Sequence, residues 1–213
     1  MPNYKPEQYS SYKVSQFLTL AGARAILGGA RMKALTGAAV DSVGVWRDDL
    51  KDLRIALDAT TRARLINNLF YFKAQIALAG DTGCRFDEIR QQRYIEFDEK
   101  VLLRFKLFDD ALETSNYPTE QAEEFVQQDW IPGLPPLVRL HLGYRLNIIG
   151  LGVSDAFVTL PTGIPGAFNA WVWQVLGDPM NETSTYGVQL PLLLTPQEPL
   201  QNDVYFYENY AVS

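Results

Sequence analysis

The chain has little of the two side chains on which most enzyme chemistry depends. Its 213 residues include one histidine, His141, and one cysteine, Cys84. Histidine is the commonest general acid or base, cysteine is a strong nucleophile, and both are usual ligands of zinc. An ordinary structural zinc site is therefore excluded, and a Cys84–His141 dyad could form only through tertiary folding, because no local motif joins the two residues. We expect a protein that binds rather than catalyses, with no cofactor.

The sequence also lacks a long apolar run. Its longest apolar stretch is far below the roughly 20 residues that a membrane-spanning helix needs. Residues 17–23 end in the small-x-small pattern of a signal peptide, but Arg24 follows at once and helix-like spacing continues to Leu35. A lone cysteine cannot form an intramolecular disulfide, which is typical of a reducing compartment. We expect a soluble, cytoplasmic protein that does not associate with membranes.

Motifs of nucleotide and hydrolase sites are missing as well. There is no Gly-x-x-x-x-Gly-Lys loop, no Gly-x-Gly-x-x-Gly turn, no Cys-x-x-Cys pair and no Gly-x-Ser-x-Gly elbow. The chain has 25 acidic against 19 basic residues, a formal net charge of −6. This acidic balance disfavours broad attraction to phosphate backbones, so a nucleic acid is not an expected partner.

What the sequence does contain is helical periodicity over its first 80 residues. Apolar residues recur at three- and four-residue steps over residues 14–35, although Gly28 and Gly29 would permit a break. Gly37 is a suitable stop for this helix. A second, weaker amphipathic pattern covers residues 39–57.

The clearest predicted helix begins after Asp58, a good N-cap residue, and ends before Gly80. Its apolar stripe, which predicts burial, consists of Leu65, Leu69, Phe72, Ile76 and Ala79, widened by Ile66, Phe70 and Ala77. Its remaining side carries a polar row formed by Arg64, Asn68, Tyr71 and Gln75. Such a row is either the solvated side of the helix, which is the usual case, or a contact surface for a partner.

Beyond a polar connection over residues 81–92, the pattern changes to the two-residue period of strands. Residues 93–97 and 101–107 are predicted to form a hairpin, with Arg104 and Lys106 on one face of the second strand. A short helix fits residues 119–128. The proline-rich residues 131–136 form a stiff connector, and three further strands are predicted at residues 137–147, 154–160 and 168–176.

Helices followed by strands indicate an α+β fold in which N-terminal helices pack on a C-terminal antiparallel sheet, arranged as a meander. Residues 1–80 form the helical part. Residues 81–213 form the β-rich part with one short helix. With 47% hydrophobic residues the chain can bury a sizeable core, so we expect one compact domain.

The last segment, residues 177–213, mixes prolines with apolar and aromatic residues. It either completes the sheet as edge strands or mediates self-association by strand addition. Aromatic side chains commonly anchor interfaces, so the candidate partner-binding residues are Trp171, Trp173, Tyr205, Tyr207 and Tyr210. At least one face of the segment from Trp171 to Trp173 is expected in the core.

Carboxylates are the one plentiful reactive class, and five of them surround the first predicted hairpin: Asp87, Glu88, Glu96, Asp98 and Glu99. Oxygen ligands of this kind suit Mg²⁺. An alternative hypothesis is therefore a Mg²⁺-dependent nuclease or phosphoesterase, with Glu96 and Asp98 as metal ligands and Lys106 stabilising phosphate charge. In such hairpin sites the second strand typically carries an acid-x-Lys pair. Arg104 replaces that acid here, which favours charges that merely solvate a hairpin.

A basic strand face is predicted around the single histidine. Alternation places Arg139, His141 and Arg145 on the same side of their strand. That face would suit an anionic group or carboxylates of neighbouring strands. Packing within the sheet is the simpler interpretation for His141.

Four short segments resemble uncharacterised bacterial and prophage-associated proteins. They are residues 103–106 (Leu-Arg-Phe-Lys), residues 115–122 around Tyr117-Pro118, residues 132–135 (Pro-Gly-Leu-Pro) and residues 139–144. The resemblance covers the middle third of the chain and implies no particular activity. It does imply a mobile-element or phage-defence setting, where small acidic proteins often act by binding another protein.

The sequence thus favours a non-enzymatic protein-interaction module: a regulator, antitoxin or inhibitor whose partner is another protein. The metal-dependent hydrolase is the second hypothesis. A homo-oligomeric structural component, assembled through the C-terminal strands, is the third.

Overall fold

The computed structural model describes residues 18–89, 92–114, 120–128, 137–164 and 167–177. Four helices lie in these ranges: α1 (Leu20–Leu27), α2 (Ala30–Asp48), α3 (Ala59–Ala77) and α4 (Glu120–Val126). Six strands form one sheet: β1 (Cys84–Ile89), β2 (Gln92–Phe97), β3 (Val101–Leu107), β4 (Val138–Leu146), β5 (Val153–Ile164) and β6 (Ala167–Leu176). The predicted α+β fold, with helices first, is confirmed.

The strands follow one another across the sheet in chain order, from β1 to β6. All neighbours are antiparallel except β3 and β4, which pair in parallel from Val101↔Val138 to Leu107↔Tyr144. A parallel pair needs a crossover connection instead of a hairpin, and α4 lies in that connection. The predicted meander is therefore wrong at this one pair.

The first two predicted helices have different boundaries in the structure. The helix is interrupted at Gly28 and Gly29, and Gly29 adopts a positive φ of 63°. Helix α2 then continues through Gly37, which is not a stop, and residues 49–56 form turns. Burial of Leu35, Ala38 and Ala39 around Gly37 outweighs the helix propensity lost at one glycine, about 1 kcal/mol.

Helix α3 begins where the sequence predicts it to begin. The Asp58 side chain accepts a hydrogen bond from the Thr61 N–H at 2.6 Å, which caps the helix. The buried stripe is rotated from the predicted one, since Ile66, Phe70, Tyr71 and Ala74 are buried whereas Phe72 is 61% exposed.

Strand β1 was expected to be part of a polar connection. It is an edge strand with a largely exposed surface, and only Cys84, Phe86 and Ile89 are partly covered among its apolar residues. Its alternation of partly buried and exposed residues covers only Cys84 to Asp87, which is at the lower limit of a detectable strand pattern.

The sheet has a core on each face. Helices α1, α2 and α3 cover one face, where Leu103, Phe105 and Tyr144 are buried against them. A smaller cluster on the other face joins Tyr94 and Leu102 to Phe125 of α4. None of the helices in the described ranges is long and apolar enough to cross a membrane. The predicted connector at residues 131–136 lies outside those ranges.

Candidate functional site

The sheet opens between β2 and β3. These strands pair at three positions only: Ile95↔Leu103, Glu96↔Leu102 and Phe97↔Val101. Strand β2 then follows β1 away from β3, while β3 stays paired with β4 along its whole length. In the part of the chain that is described, β3 residues 104–107 have no strand on their β2 side.

Side chains of α3 occupy this opening. The Tyr71 hydroxyl donates a hydrogen bond to the Arg93 carbonyl at 2.6 Å and accepts one from the Phe105 N–H at 3.3 Å. The Asn67 amide donates to the Phe105 carbonyl at 3.1 Å. Two side chains thus satisfy strand backbone groups that no neighbouring strand reaches.

A cleft of about 840 Å³ lies at the opening, between α3, β2, β3 and α4. Its volume falls within the range of ligand sites, about 300–1,000 Å³. Among the residues that the structure describes, the charged side chains that line it are five cations and one acid: Arg62, Arg64, Arg93, Arg104, Lys106 and Glu88. These residues make the cleft basic although the chain has a net charge of −6, so its sign is opposite to the one that composition alone predicts.

The acid among these described residues, Glu88, is already paired with an arginine. Glu88 accepts a hydrogen bond from Arg93 Nε at 3.1 Å, and Arg93 also donates to the Asn68 side chain. Arg104, by contrast, is nine-tenths buried. Its Nη1, like the Nε of Arg62, is buried without a hydrogen-bond partner among the described residues. Buried polar groups normally have partners, so these two guanidinium groups leave anion-binding capacity in the cleft.

Burial lowers the pKa of two cations at the inner end of the cleft. It lowers the pKa of Arg104 below the usual arginine value. Burial, and secondarily the charge of Arg104, lowers the pKa of Lys106 to about 7. Both shifts follow mainly from holding cations away from water, and a bound anion would oppose them.

Behind Arg104, a row of polar groups continues across the sheet. His141 pairs with Arg104 on one side and with Thr159 on the other. His141 Nε2 and Thr159 Oγ1 are both buried without a hydrogen-bond partner in the described structure. The imidazole stacks on Phe125, with centroids 4.9 Å apart, and burial keeps its pKa well below 6.5.

The structure does not bring Cys84 to His141. Cys84 begins β1 and packs against the main core, whereas His141 lies on β4, with β2 and β3 in between. Three strand spacings separate β1 from β4, about 14 Å. Burial raises the pKa of Cys84 to about 12, which disfavours the reactive thiolate.

The residues of the metal hypothesis are engaged with arginines. Glu96 contacts Arg85 at 2.5 Å, and Asp98 accepts hydrogen bonds from Arg31 at 2.6 and 2.9 Å. Lys106 lies four residues beyond Leu102, the partner of Glu96, which is about 13 Å along the strand. No group of three or more metal-ligating side chains occurs in the described ranges. The Mg²⁺-dependent nuclease or phosphoesterase remains a prediction, and these contacts give it no support.

The two tryptophans proposed as partner anchors lie beneath α1. Trp171 is buried, and its Nε1 donates to the Leu18 carbonyl at 3.0 Å. Trp173 is partly exposed, with the Arg24 guanidinium 5.4 Å from its ring centroid. These contacts match the expected core face of the segment, and partner binding there remains a prediction. Tyr205, Tyr207 and Tyr210 lie outside the described residues.

Comparison of the chain with protein-family models, with curated proteins and with solved structures gives no match. The cleft is therefore interpreted from its own residues. Sequence reasoning missed it as a unit, although it noted two of its parts: the polar row of α3 and the basic face of β3. Arg64, Asn68 and Tyr71 of that row do line the cleft.

Proposed function

We propose that this protein is a non-enzymatic interaction module that binds an acidic segment of another protein in the cleft. The main support is the charge of the cleft: its described lining has five cations and one acid that is already paired, in a chain that is acidic as a whole. Local potential, and not net charge, governs which partner a surface attracts.

The placement of the cations suits an extended partner. Arg64 is exposed at the rim, Arg62 and Arg93 are partly buried, and Arg104 and Lys106 lie further in. An extended acidic segment can meet several of these groups at once, whereas a single small anion meets only one or two. The first turn of α3 also lines the cleft, and its positive dipole end favours the same sign of ligand.

Regulators, antitoxins and inhibitors act by occupying a surface of another protein, and the cleft supports a role of that kind. A mobile-element or phage-defence setting belongs to the same proposal. So does a cytoplasmic location, where the free thiol of Cys84 would stay reduced.

The test is affinity purification of the tagged protein from its native host, followed by mass spectrometry and by measurement of the mass of the complex. The wild type is compared with Arg64→Glu, a charge reversal at the rim of the cleft. Lys100→Glu is the matched control, because Lys100 is an exposed lysine in the turn at the opposite end of β3.

We expect one stoichiometric partner with an acidic surface, retained by Lys100→Glu and lost or at least tenfold weaker with Arg64→Glu. Equal retention by both variants would remove the cleft from the proposal. Turnover of a substrate by the isolated protein would count against a non-enzymatic role.

Self-assembly is a second candidate, and the edge position of β6 favours it. This ten-residue strand pairs with β5 on one side, and on the other side no strand lies among the described residues. An edge strand of this length can pair with a second copy. The solution mass of the chain with and without residues 178–213 tests this candidate, since it requires loss of assembly without unfolding.

A further inference from the structure

The outward side of α3 carries an apolar stripe with the spacing by which one helix packs against another. This outer stripe consists of Leu65, Leu69, Phe72 and Ile76, which follow one another at steps of four, three and four residues. These are the steps between the a and d positions of a heptad, where side chains of two helices interlock. The stripe runs for about 16 Å, which is about three helical turns.

The fold leaves the outer stripe on the side of α3 that faces away from the core. With about 3.6 residues per turn, the stripe lies opposite Phe70 and Ala74, which are fully buried. Phe72 is 61% exposed and Ile76 is 64% exposed, whereas the two leucines are partly covered. Single exposed apolar residues are ordinary in folded proteins, but a row of them along one helix face marks an interaction surface.

The charges of α3 decide which helix suits the outer stripe. The helix contains three cations, Arg62, Arg64 and Lys73, and no acidic residue. Its helical geometry places Lys73 and Arg64 on opposite sides of the stripe. A second copy of α3 would bring more cations and no carboxylate to the contact. Acidic residues beside the apolar face of a partner helix would instead pair with the cations on both sides.

We infer that the outer stripe is a docking surface for an amphipathic helix of a partner protein, with apolar residues at heptad spacing and acidic residues beside them. Helices with this spacing of anchors are commonly recognised by apolar surfaces of other proteins. The inference goes beyond the proposed function, because the four stripe residues are not part of the described lining of the cleft. Arg64 lies at the border of the two surfaces.

The first experiment measures the binding of three synthetic peptides of about three heptads to the full chain by fluorescence anisotropy. The first peptide has leucine at the a and d positions and glutamate at e and g. The second has lysine in place of glutamate, and the third is the first with two central residues replaced by proline, which breaks the helix. Like charges at e and g keep each peptide from pairing with itself.

We expect the first peptide to bind at least tenfold more tightly than either of the others. Its apolar side and its acidic flanks both match α3, whereas the second peptide repels the cations and the third cannot form the helix. Binding of either other peptide as tightly as the first, or no binding of the first, would overturn the inference.

A double variant locates the binding on α3. Phe72→Ala combined with Ile76→Ala removes the two most exposed side chains of the stripe and should weaken binding of the first peptide at least tenfold. Ile55→Ala is the matched control, because Ile55 is a fully exposed isoleucine in the turns that precede α3, and it should leave the affinity unchanged. Wild-type affinity in the double variant would overturn the assignment.

A charge reversal tests the acidic character of the partner helix. Lys73→Glu should reduce the preference for the glutamate peptide over the lysine peptide at least threefold, while Lys100→Glu should not change it. Lys73 is not part of the described lining of the cleft, so this readout is specific to the stripe. An unchanged preference in Lys73→Glu would overturn the assignment of an acidic partner.

The mass of the protein in solution distinguishes a partner from a second copy. Sedimentation of the wild type and of the double variant should give the same mass. A dimer that the double variant loses would show that a second copy covers the stripe, and would overturn the inference.

The inference and the proposed function fail separately. If the proline peptide binds as tightly as the first and only Arg64→Glu weakens it, the acidic segment occupies the cleft and the stripe is not a docking surface. If the double variant loses the first peptide while Arg64→Glu keeps the native partner, the stripe stands and the cleft is not the partner site.

Discussion

The hydroxyl of Tyr71 accepts the hydrogen bond from the Phe105 N–H that a neighbouring strand would otherwise accept. It accepts the hydrogen bond of the Phe105 N–H at 3.3 Å and donates to the Arg93 carbonyl at 2.6 Å, so that one phenol joins β3 to β2 where the two strands part. This bridge spans the gap between β2 and β3, and the cleft lies at that gap.

Removing the bridge should destabilise the fold. Tyr71→Phe leaves two backbone groups without their partner, and we expect the free energy of unfolding to fall by about 1–3 kcal/mol in urea titrations. Tyr144→Phe is the matched control, because the Tyr144 hydroxyl makes no hydrogen bond within the described residues; we expect a change within about 0.5 kcal/mol. Equal effects of the two changes would show that the bridge contributes nothing.

Arg31 links three parts of the chain through its guanidinium. It binds Asp81 at 2.6 Å and Asp98 at 2.6 Å, and it donates to the Ile26 carbonyl at 2.7 Å. Asp98 is 37% exposed, so solvent screens part of the interaction. Arg31→Met should therefore lower the free energy of unfolding by about 1 kcal/mol at pH 7.

The effect of Arg31→Met should depend on pH. The hydrogen bonds from Arg31 lower the pKa of Asp81 and of Asp98 below 3.8. Their contribution is complete above about pH 5, one unit above the ordinary aspartate pKa, and is lost as the pH falls through the lowered values. Urea titrations at pH 7 and pH 2.5 check this. A penalty of the same size at both values would contradict it, and Arg47→Met, at an exposed pair, should have no measurable effect.

The lowered pKa of Lys106 should make the free energy of unfolding smaller at pH values below 7 than at high pH. Burial, and then Arg104, lowers its pKa from 10.5 to about 7, so the unfolded chain holds the lysine proton more tightly than the folded chain does. The free energy of unfolding therefore rises with pH between 7 and 10.5. Lys106→Met should be more stable than the wild type at pH 6, with an advantage that shrinks toward pH 10. A constant difference would contradict this, and Lys100→Met should stay within about 0.5 kcal/mol of the wild type.

The lowered pKa of His141 predicts a separate loss of stability at acidic pH. Burial first, and then Arg104 and Lys106, holds its pKa well below 6.5. As the pH falls below 6.5, the unfolded chain takes up a proton that the folded chain does not, so stability decreases. His141→Phe keeps a ring on Phe125 and should flatten the stability profile between pH 6.5 and 4. Parallel profiles for variant and wild type would show that His141 does not titrate in this way.

Much of the fold can be read from the sequence because its signals are local. Asp58 fixes the start of α3 through one side-chain hydrogen bond. The two-residue period of residues 101–107 gives β3, and the short turn at residues 98–100 gives its hairpin with β2. Gly37 misleads because the packing of its neighbours, and not its own propensity, decides whether the helix continues.

The cleft could not be predicted as a unit because it depends on where strand pairing stops. Arg64 and Arg104 are 40 positions apart in the chain, and nothing local shows that β2 leaves β3 at residue 103. Net charge is misleading for the same reason, since it averages over surfaces that the fold keeps apart. A basic strand face and a polar helix row were visible, but their meeting required the tertiary structure.

The central claim, that the cleft binds an acidic segment, is tested most directly by nuclear magnetic resonance. Labelled protein is titrated with a glutamate-rich peptide, and the amide shifts are mapped on the structure. The account predicts changes confined to the lining of the cleft, which is residues 59–71 and 104–107 together with Glu88, Gln92, Arg93, Ala122 and Tyr144. Changes centred on the turn at residues 98–100 or on β6, or no change at all, would contradict it.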